Sequence, residues 1–132
     1  MKTYTLKKLT PLMMVDAIEP CLGFWERLGF ARTVELPEGN ALGFVILVKD
    51  DLEIMYQSTA SVTGDIPSMA STPKGGTLLF IEVSDLDAVI EALGDAPRVF
   101  ERRKTFYGMD ELGVRDPAGN VVMFAMPVTA AK

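Results

Sequence analysis

Two hydrophobic periods alternate along the chain, and they come in the same order twice. Ile18, Leu22, Trp25 and Leu28 recur at the three-to-four-residue spacing of a helix with one apolar face. A mainly apolar run, Leu6 to Val15, precedes them. Three more runs follow: Ala31 to Leu36, the strongly apolar Ala41 to Lys49, and Leu52 to Ser58. The pattern predicts a strand, a helix and three strands. Thr77 to Val83 opens a second round, in which Leu86, Val89, Ile90 and Leu93 make the helical stripe. Arg98 to Lys104, Met109 to Asp116 and Asn120 to Met126 are its three closing strands.

Capping and turn residues fall where this order needs them. Asp16, with Glu19 three residues on and Pro20 in the first turn, has the form of a capping box, and Gly29 stops that helix. Asp85 caps the second helix and Gly94-Asp95 ends it. Turns are expected at Pro37-Glu38-Gly39-Asn40, at Lys49-Asp50-Asp51, and at Asp116-Pro117-Ala118-Gly119-Asn120. In the last of these Pro117 fixes φ and Gly119 accepts the positive φ that closes the hairpin. Pro11 marks an edge or bulge position in the first strand. Met14-Val15-Asp16 lies over Val83-Ser84-Asp85, as two copies of one unit would. The expected organisation is therefore one domain of two modules, residues 1–58 and 77–132. Between them, residues 59–76 are rich in Ser, Thr, Gly and Pro, with Val62, Ile66 and Met69 their main apolar side chains. That segment reads as a linker, or a loop able to fold over a binding site.

Composition then removes whole classes of chemistry. The sequence has no histidine, which excludes Ser-His-Asp triads, imidazole-ligated metals and histidine acid–base catalysis. Its single cysteine, Cys21, allows neither an internal disulfide nor a cysteine-built zinc site, and with no base beside it reads as a small buried hydrophobe. The formal charge of −5, with no basic patch interleaved with aromatics, argues against nucleic acid. Arg102-Arg103-Lys104 reads as solvated charge on an edge strand. No apolar run approaches the roughly 20 residues of a membrane span. The lysines of the first ten residues are followed by no apolar stretch of a secretory signal, so a cytoplasmic protein is expected.

The first helix, CLGFWERLGF, and the last hairpin, GVRDPAGNVVMF, set within two βαβββ units, resemble the glyoxalase/bleomycin-resistance/dioxygenase superfamily, also called the vicinal oxygen chelate fold. The resemblance covers nearly the whole chain. It implies an α+β fold in which two βαβββ modules form curved mixed sheets, or half-barrels, with helices on the convex faces. It also implies small-molecule pockets on the concave faces, a divalent metal in many members, and a homodimer whose pockets take walls from both chains.

Residue by residue, the metal does not carry over. Metal-binding relatives place a Glu three residues after the Asn of the final turn, where this chain has Met123. The matching slot in the first module falls near Met55, and the first-strand slots near Leu9 and Leu78. Leucine and methionine offer no donors to hard or borderline cations, so a metal-dependent lyase, epimerase or dioxygenase is not expected. Strand parity then names the face that shares these slots: Met13 from the first strand, Glu53, Met55 and Gln57 from the fourth, Phe80 and Glu82 from the fifth, and Met123 from the last. Phe106 and Tyr107, at a hairpin mouth, join them as candidate ligand-binding residues.

Such a surface suits a flat or bulky hydrophobic organic ligand, and its acidic groups favour a cationic or amine-bearing one. The expected function is metal-free sequestration or carriage in the manner of the small bleomycin-resistance-like members, with no cofactor and no nucleic-acid or membrane partner. The alternative is a metal-independent lyase or isomerase using Glu53 or Glu82 as general base. A plainer reading stands beside both: the methionines fill a core or an interface, and the two carboxylates sit on a solvated strand face.

Overall fold

The computed structural model describes residues 2–128. Module one contains β1 (Leu12–Val15), α1 (Glu19–Arg27), β2 (Ala31–Glu38), β3 (Ala41–Lys49) and β4 (Leu52–Ser58). A short helix, α2 (Thr59–Asp65), and a 3-10 turn, Pro67–Met69, follow. Module two contains β5 (Leu78–Glu82), α3 (Leu86–Leu93), β6 (Arg98–Lys104), β7 (Met109–Arg115) and β8 (Val121–Pro127).

Each module is a four-stranded mixed sheet, ordered β1-β4-β3-β2 in the first and β5-β8-β7-β6 in the second. The first strand pairs in parallel with the last, and the remaining pairs are antiparallel. The repeat read from the sequence is thus a repeat of topology: α+β, with two βαβββ units.

Alternation sets which face is covered. Val45, Leu47, Ile54 and Tyr56 are fully or almost fully buried on one side of module one, under Leu22 and Trp25 of α1. Trp25 packs edge-on against Phe24 and Phe30, with ring centroids 5.1 and 5.0 Å apart. In module two Leu112, Val114, Val122 and Phe124 take the same place beneath Leu86 and Leu93 of α3. Each large apolar side chain so buried contributes about 1.5–3 kcal/mol, so this covered side holds the fold together. The opposite face of module two carries no helix, and that of module one meets only α2, at the end where Gln57 bonds to Ser61; there the half-exposed side chains gather.

A buried hydrogen-bond chain ties the modules together. The Trp25 indole N–H donates to the Tyr56 hydroxyl at 2.7 Å, and that hydroxyl donates to the Asp116 carboxylate at 2.6 Å. Asp116 also accepts the backbone N–H groups of Ala118 and Asn120, at 3.0 and 2.8 Å. The Asn120 side-chain carbonyl in turn accepts the N–H of Thr77 at 3.1 Å. The Asp-Pro-Ala-Gly-Asn turn therefore does two jobs: it closes the β7–β8 hairpin, with Gly119 at φ +91°, and it anchors module two to the core of module one.

Three expectations need correction. Residues 6–11 form no strand; β1 starts at Leu12, after Pro11, which has no N–H to give to a ladder. Asp16 does not cap α1. Ile18 holds the N-cap position in helical geometry, and Asp16 instead accepts from the Thr59 hydroxyl at 3.1 Å and pairs with Lys74 at 3.4 Å. Residues 59–65 form a helix rather than a loop, because Ser58 caps it by accepting the N–H of Ser61 and Val62 is buried against the body. Arg102, Arg103 and Lys104 are exposed on the edge strand β6, as expected, and the two arginines are also ion-paired on opposite faces: Arg102 holds Asp110 at 2.9 Å and Asp87 of α3, and Arg103 holds Glu111. Arg102 keeps the Asp110 carboxyl below the ordinary carboxylate range.

Candidate functional site

The uncovered faces of the two sheets are the candidate site. Register places side chains in rows across them. In module two one row runs Phe80, Met123, Gly113, Phe100, and the next runs Glu82, Ala125, Glu111, Arg103. In module one the rows are Leu12, Met55, Ile46, Val34 and then Gln57 beside Phe44. The small residues Gly113 and Ala125 lie between larger ones and are buried beneath them. Phe100 lies over Gly113 so closely that a Cβ there would stand 2.5 Å from the ring, so glycine is required by the ring. Part of the face is thus filled by the protein itself, while Phe80 remains 49 % and Leu78 67 % exposed.

Seven of the nine expected ligand-binding residues lie on these faces or at their rim. Met55 and Gln57 are half-buried on the open side of module one, and the Gln57 amide donates to the Ser61 hydroxyl at 3.0 Å. Phe80, Glu82 and Met123 share the open side of module two. Tyr107 donates to Glu111 at 3.2 Å from the β6–β7 hairpin tip. Glu53 stands on the open side of module one but is occupied: Lys8 pairs with it at 2.9 Å and the Thr10 hydroxyl donates to it at 2.9 Å. Lys8 first and Thr10 second hold its carboxyl below its ordinary range, which is the wrong direction for a general base at neutral pH.

Two residues lie elsewhere. Met13 pairs in register with Tyr56 and is 3 % exposed, so its side chain belongs with the helix-covered core, and Leu12 and Met14 take the open side instead. The proline-delayed start of β1 shifts the expected parity by one. Phe106 is fully exposed at the tip, edge-on to Tyr107 at 5.0 Å.

Several cavities open where the modules meet. One of about 140 Å³ is walled by Met13, Met14, Gln57 and, from the inter-module segment, Met69 and Thr72, so that segment does cover part of the seam. A second, of about 180 Å³, lies between the N-terminal arm at Lys8 and Leu9, Glu53 and Phe80. Glu82 also edges a cleft of about 340 Å³ on the helix side, with Leu28, Phe30, Ile81 and Val89. Met55 and Met123 line none of these; they sit in the middle of separate open faces. Cys21 borders a further crevice of about 410 Å³, but burial pushes its thiol up to about 12, which keeps it inert near neutral pH.

The most consequential residue that parity left unnamed is Glu111. Its neighbours Leu112 and Val114 are core residues, so the alternation in Met109–Arg115 puts Glu111 and Gly113 on the open face. That signal was present in the sequence.

A metal fits poorly here. Among the described residues no three His, Cys, Asp or Glu side chains come together as a metal-binding group. Register sets Leu12 beside Met55 and Phe80 beside Met123, so the side chains flanking the two methionine slots are apolar as well. Leu9 lies before β1, on no strand. No described helix is long and apolar enough to cross a membrane.

No family model matches the chain, and no curated protein is similar to it. Its structural neighbours include proteins described as glyoxalase/bleomycin resistance protein/dioxygenase. A glyoxalase/bleomycin resistance protein/dioxygenase from Nocardioides superposes with a TM-score of 0.75 at 14 % identity, over 99 % of this chain and 89 % of that one. A lactoylglutathione lyase from Agrobacterium tumefaciens gives 0.69 at 16 % identity, over 93 % and 95 %. TnmS3, an antibiotic binding protein from Streptomyces, gives 0.64 at 19 % identity, over 94 % and 99 %. At these identities the likeness establishes the shared fold. The neighbours include both a lyase and an antibiotic binding protein.

Proposed function

We propose that this chain is a metal-independent binding protein that sequesters or carries a small, flat, largely apolar organic molecule, held on the open face of module two. One observation carries the reading: Phe80, Met123 and Phe100 form an apolar row across the open face of module two, with Phe80 49 % exposed, while the flanking methionine slots offer no metal donors. Apolar walls with a few polar groups are what ligand pockets require, and the carboxylates Glu82 and Glu111 favour a ligand bearing positive charge. A second copy of the chain completes the pocket. Support for it comes from Leu12, Leu36, Leu78 and Phe80, which expose 46, 54, 67 and 49 % of their surface, more than scattered surface hydrophobics explain. The antibiotic-binding neighbour supports a binding role, and the engagement of Glu53 by Lys8 weakens the carboxylate-base alternative.

The test is a titration of EDTA-treated protein with 1-aminoanthracene, an apolar fluorescent amine that is neutral at pH 7. Saturable binding that EDTA leaves unchanged, and that Met123→Glu weakens about tenfold or more, is expected. Sedimentation of the same sample is expected to give a dimer. Binding that appears only on adding a divalent metal contradicts the proposal, and a monomer removes the second copy from it.

A further inference from the structure

On the open face of module two a carboxylate is buried while its cation is not. Glu111 is 1 % exposed; it accepts from Arg103 Nε at 3.0 Å and from the Tyr107 hydroxyl at 3.2 Å, and Arg103 Nη2 lies 2.8 Å from it. The Arg103 side chain, by contrast, is 58 % exposed and reaches Glu111 from the solvent side. It passes over Phe100, with its guanidinium carbon 5.3 Å from the ring centroid. The strand that carries it is the edge strand β6, whose register against β7 shifts on both sides of Phe100. Such irregularities loosen an edge strand's hold on its neighbour. The acid is therefore fixed in the sheet, and the cation hangs from its looser margin.

Resting on the reading of this face as a ligand site, we propose that Glu111, Phe100 and Tyr107 form a subsite for a flat, delocalised cation of the amidinium or guanidinium type. Arg103 is its tethered occupant, which the ligand's own cationic group displaces. A planar cation matches a carboxylate through two parallel N–H bonds and stacks on an aromatic face, as a compact ammonium does not. Cation–π attraction to Phe100 adds to the pairing. Beside the subsite, Phe80 and Met123 offer apolar surface against which the ligand's body can lie. The lone guanidinium of Arg103 keeps Glu111 paired when no ligand is present, which avoids an uncompensated buried charge.

Benzamidinium and its neutral isostere benzamide are the probes, applied to the wild-type chain, Arg103→Ala, and the double variant Arg103→Ala/Glu111→Gln. Removing the tethered occupant is expected to tighten benzamidinium binding about tenfold and to make benzamidinium raise the melting temperature of Arg103→Ala. Benzamide is expected to do neither, and the double variant to lose the effect. If Arg103→Ala does not fold, Arg103→Met, which keeps an apolar stem over Phe100, makes the same comparison. Equal binding of the two probes, or benzamidinium binding that survives Glu111→Gln, overturns the subsite. If 1-aminoanthracene still binds every variant while benzamidinium shows no dependence on Arg103, the subsite falls and the ligand-binding reading stands. If neither probe nor the dye binds any variant, both fall.

Discussion

Tyr56 is the residue at which the two modules are joined. Its hydroxyl both receives the Trp25 indole proton and donates to Asp116, and the ring is fully buried. Desolvation first, and the nearby Asp116 charge second, push its phenol well above the usual tyrosine range. Burial acts the same way on the Cys21 thiol. Both groups keep in the folded state a proton that the unfolded chain gives up. Their contribution to stability is therefore complete below their ordinary values, 10.0 and 9.0, and is lost as the pH rises above them. Tyr56→Phe leaves Trp25 and Asp116 each short of a partner, which costs about 1–3 kcal/mol. In urea melts the variant is expected to be less stable than wild type at neutral pH and to lose less further stability in alkali. An unchanged midpoint at neutral pH would remove the chain of bonds from the account of how the modules hold together. The sequence placed Tyr56 on the strand Leu52 to Ser58, Trp25 in the helical stripe and Asp116 in the turn. What it did not carry was their meeting, since the partners lie 31 and 60 residues apart.

Among the elements, those with strong periodicity were legible and those set by single contacts were not. Arg98–Lys104 and Leu52–Ser58 have the bounds that alternation predicts, and α3 begins at the expected cap, with Asp85 accepting the N–H of Ala88 at 3.1 Å. α1 begins later than expected because Asp16, equally able to cap, is drawn away to Thr59 and Lys74. α2 was missed because Thr, Ser and Gly are weak helix formers; one capping serine and one buried valine outweigh that composition. Ser58→Ala is accordingly expected to cost about 1 kcal/mol. It should also raise hydrogen exchange in residues 59–65, with the two sheets unchanged. Exchange that stays at wild-type rates would show that α2 is held by packing at Val62 rather than by its cap. The open-face residues divide in the same way. Strand parity named Phe80, Glu82 and Met123 correctly for their face. It misplaced Met13, because a proline set the true start of β1.

For the whole molecule, the helix-covered sides are packed and the uncovered sides expose leucine and phenylalanine. A chain built only for stability would cover both. The fold was legible because its repeat is written in hydrophobic period. The ligand is not, since a lyase and an antibiotic binding protein both stand among the neighbours that share the fold. Met123 and Met126 lie on one strand and on opposite sides of it: Met123 in the row with Phe80, Met126 packed against the core. Carbon-13 labelling of the methionine methyl groups therefore reports directly on which side a ligand takes. On titration with 1-aminoanthracene in EDTA, the Met123 methyl signal is expected to shift saturably while that of Met126 stays in place. A shift confined to Met126, or no saturable shift at Met123, would contradict a ligand site on the open face of module two.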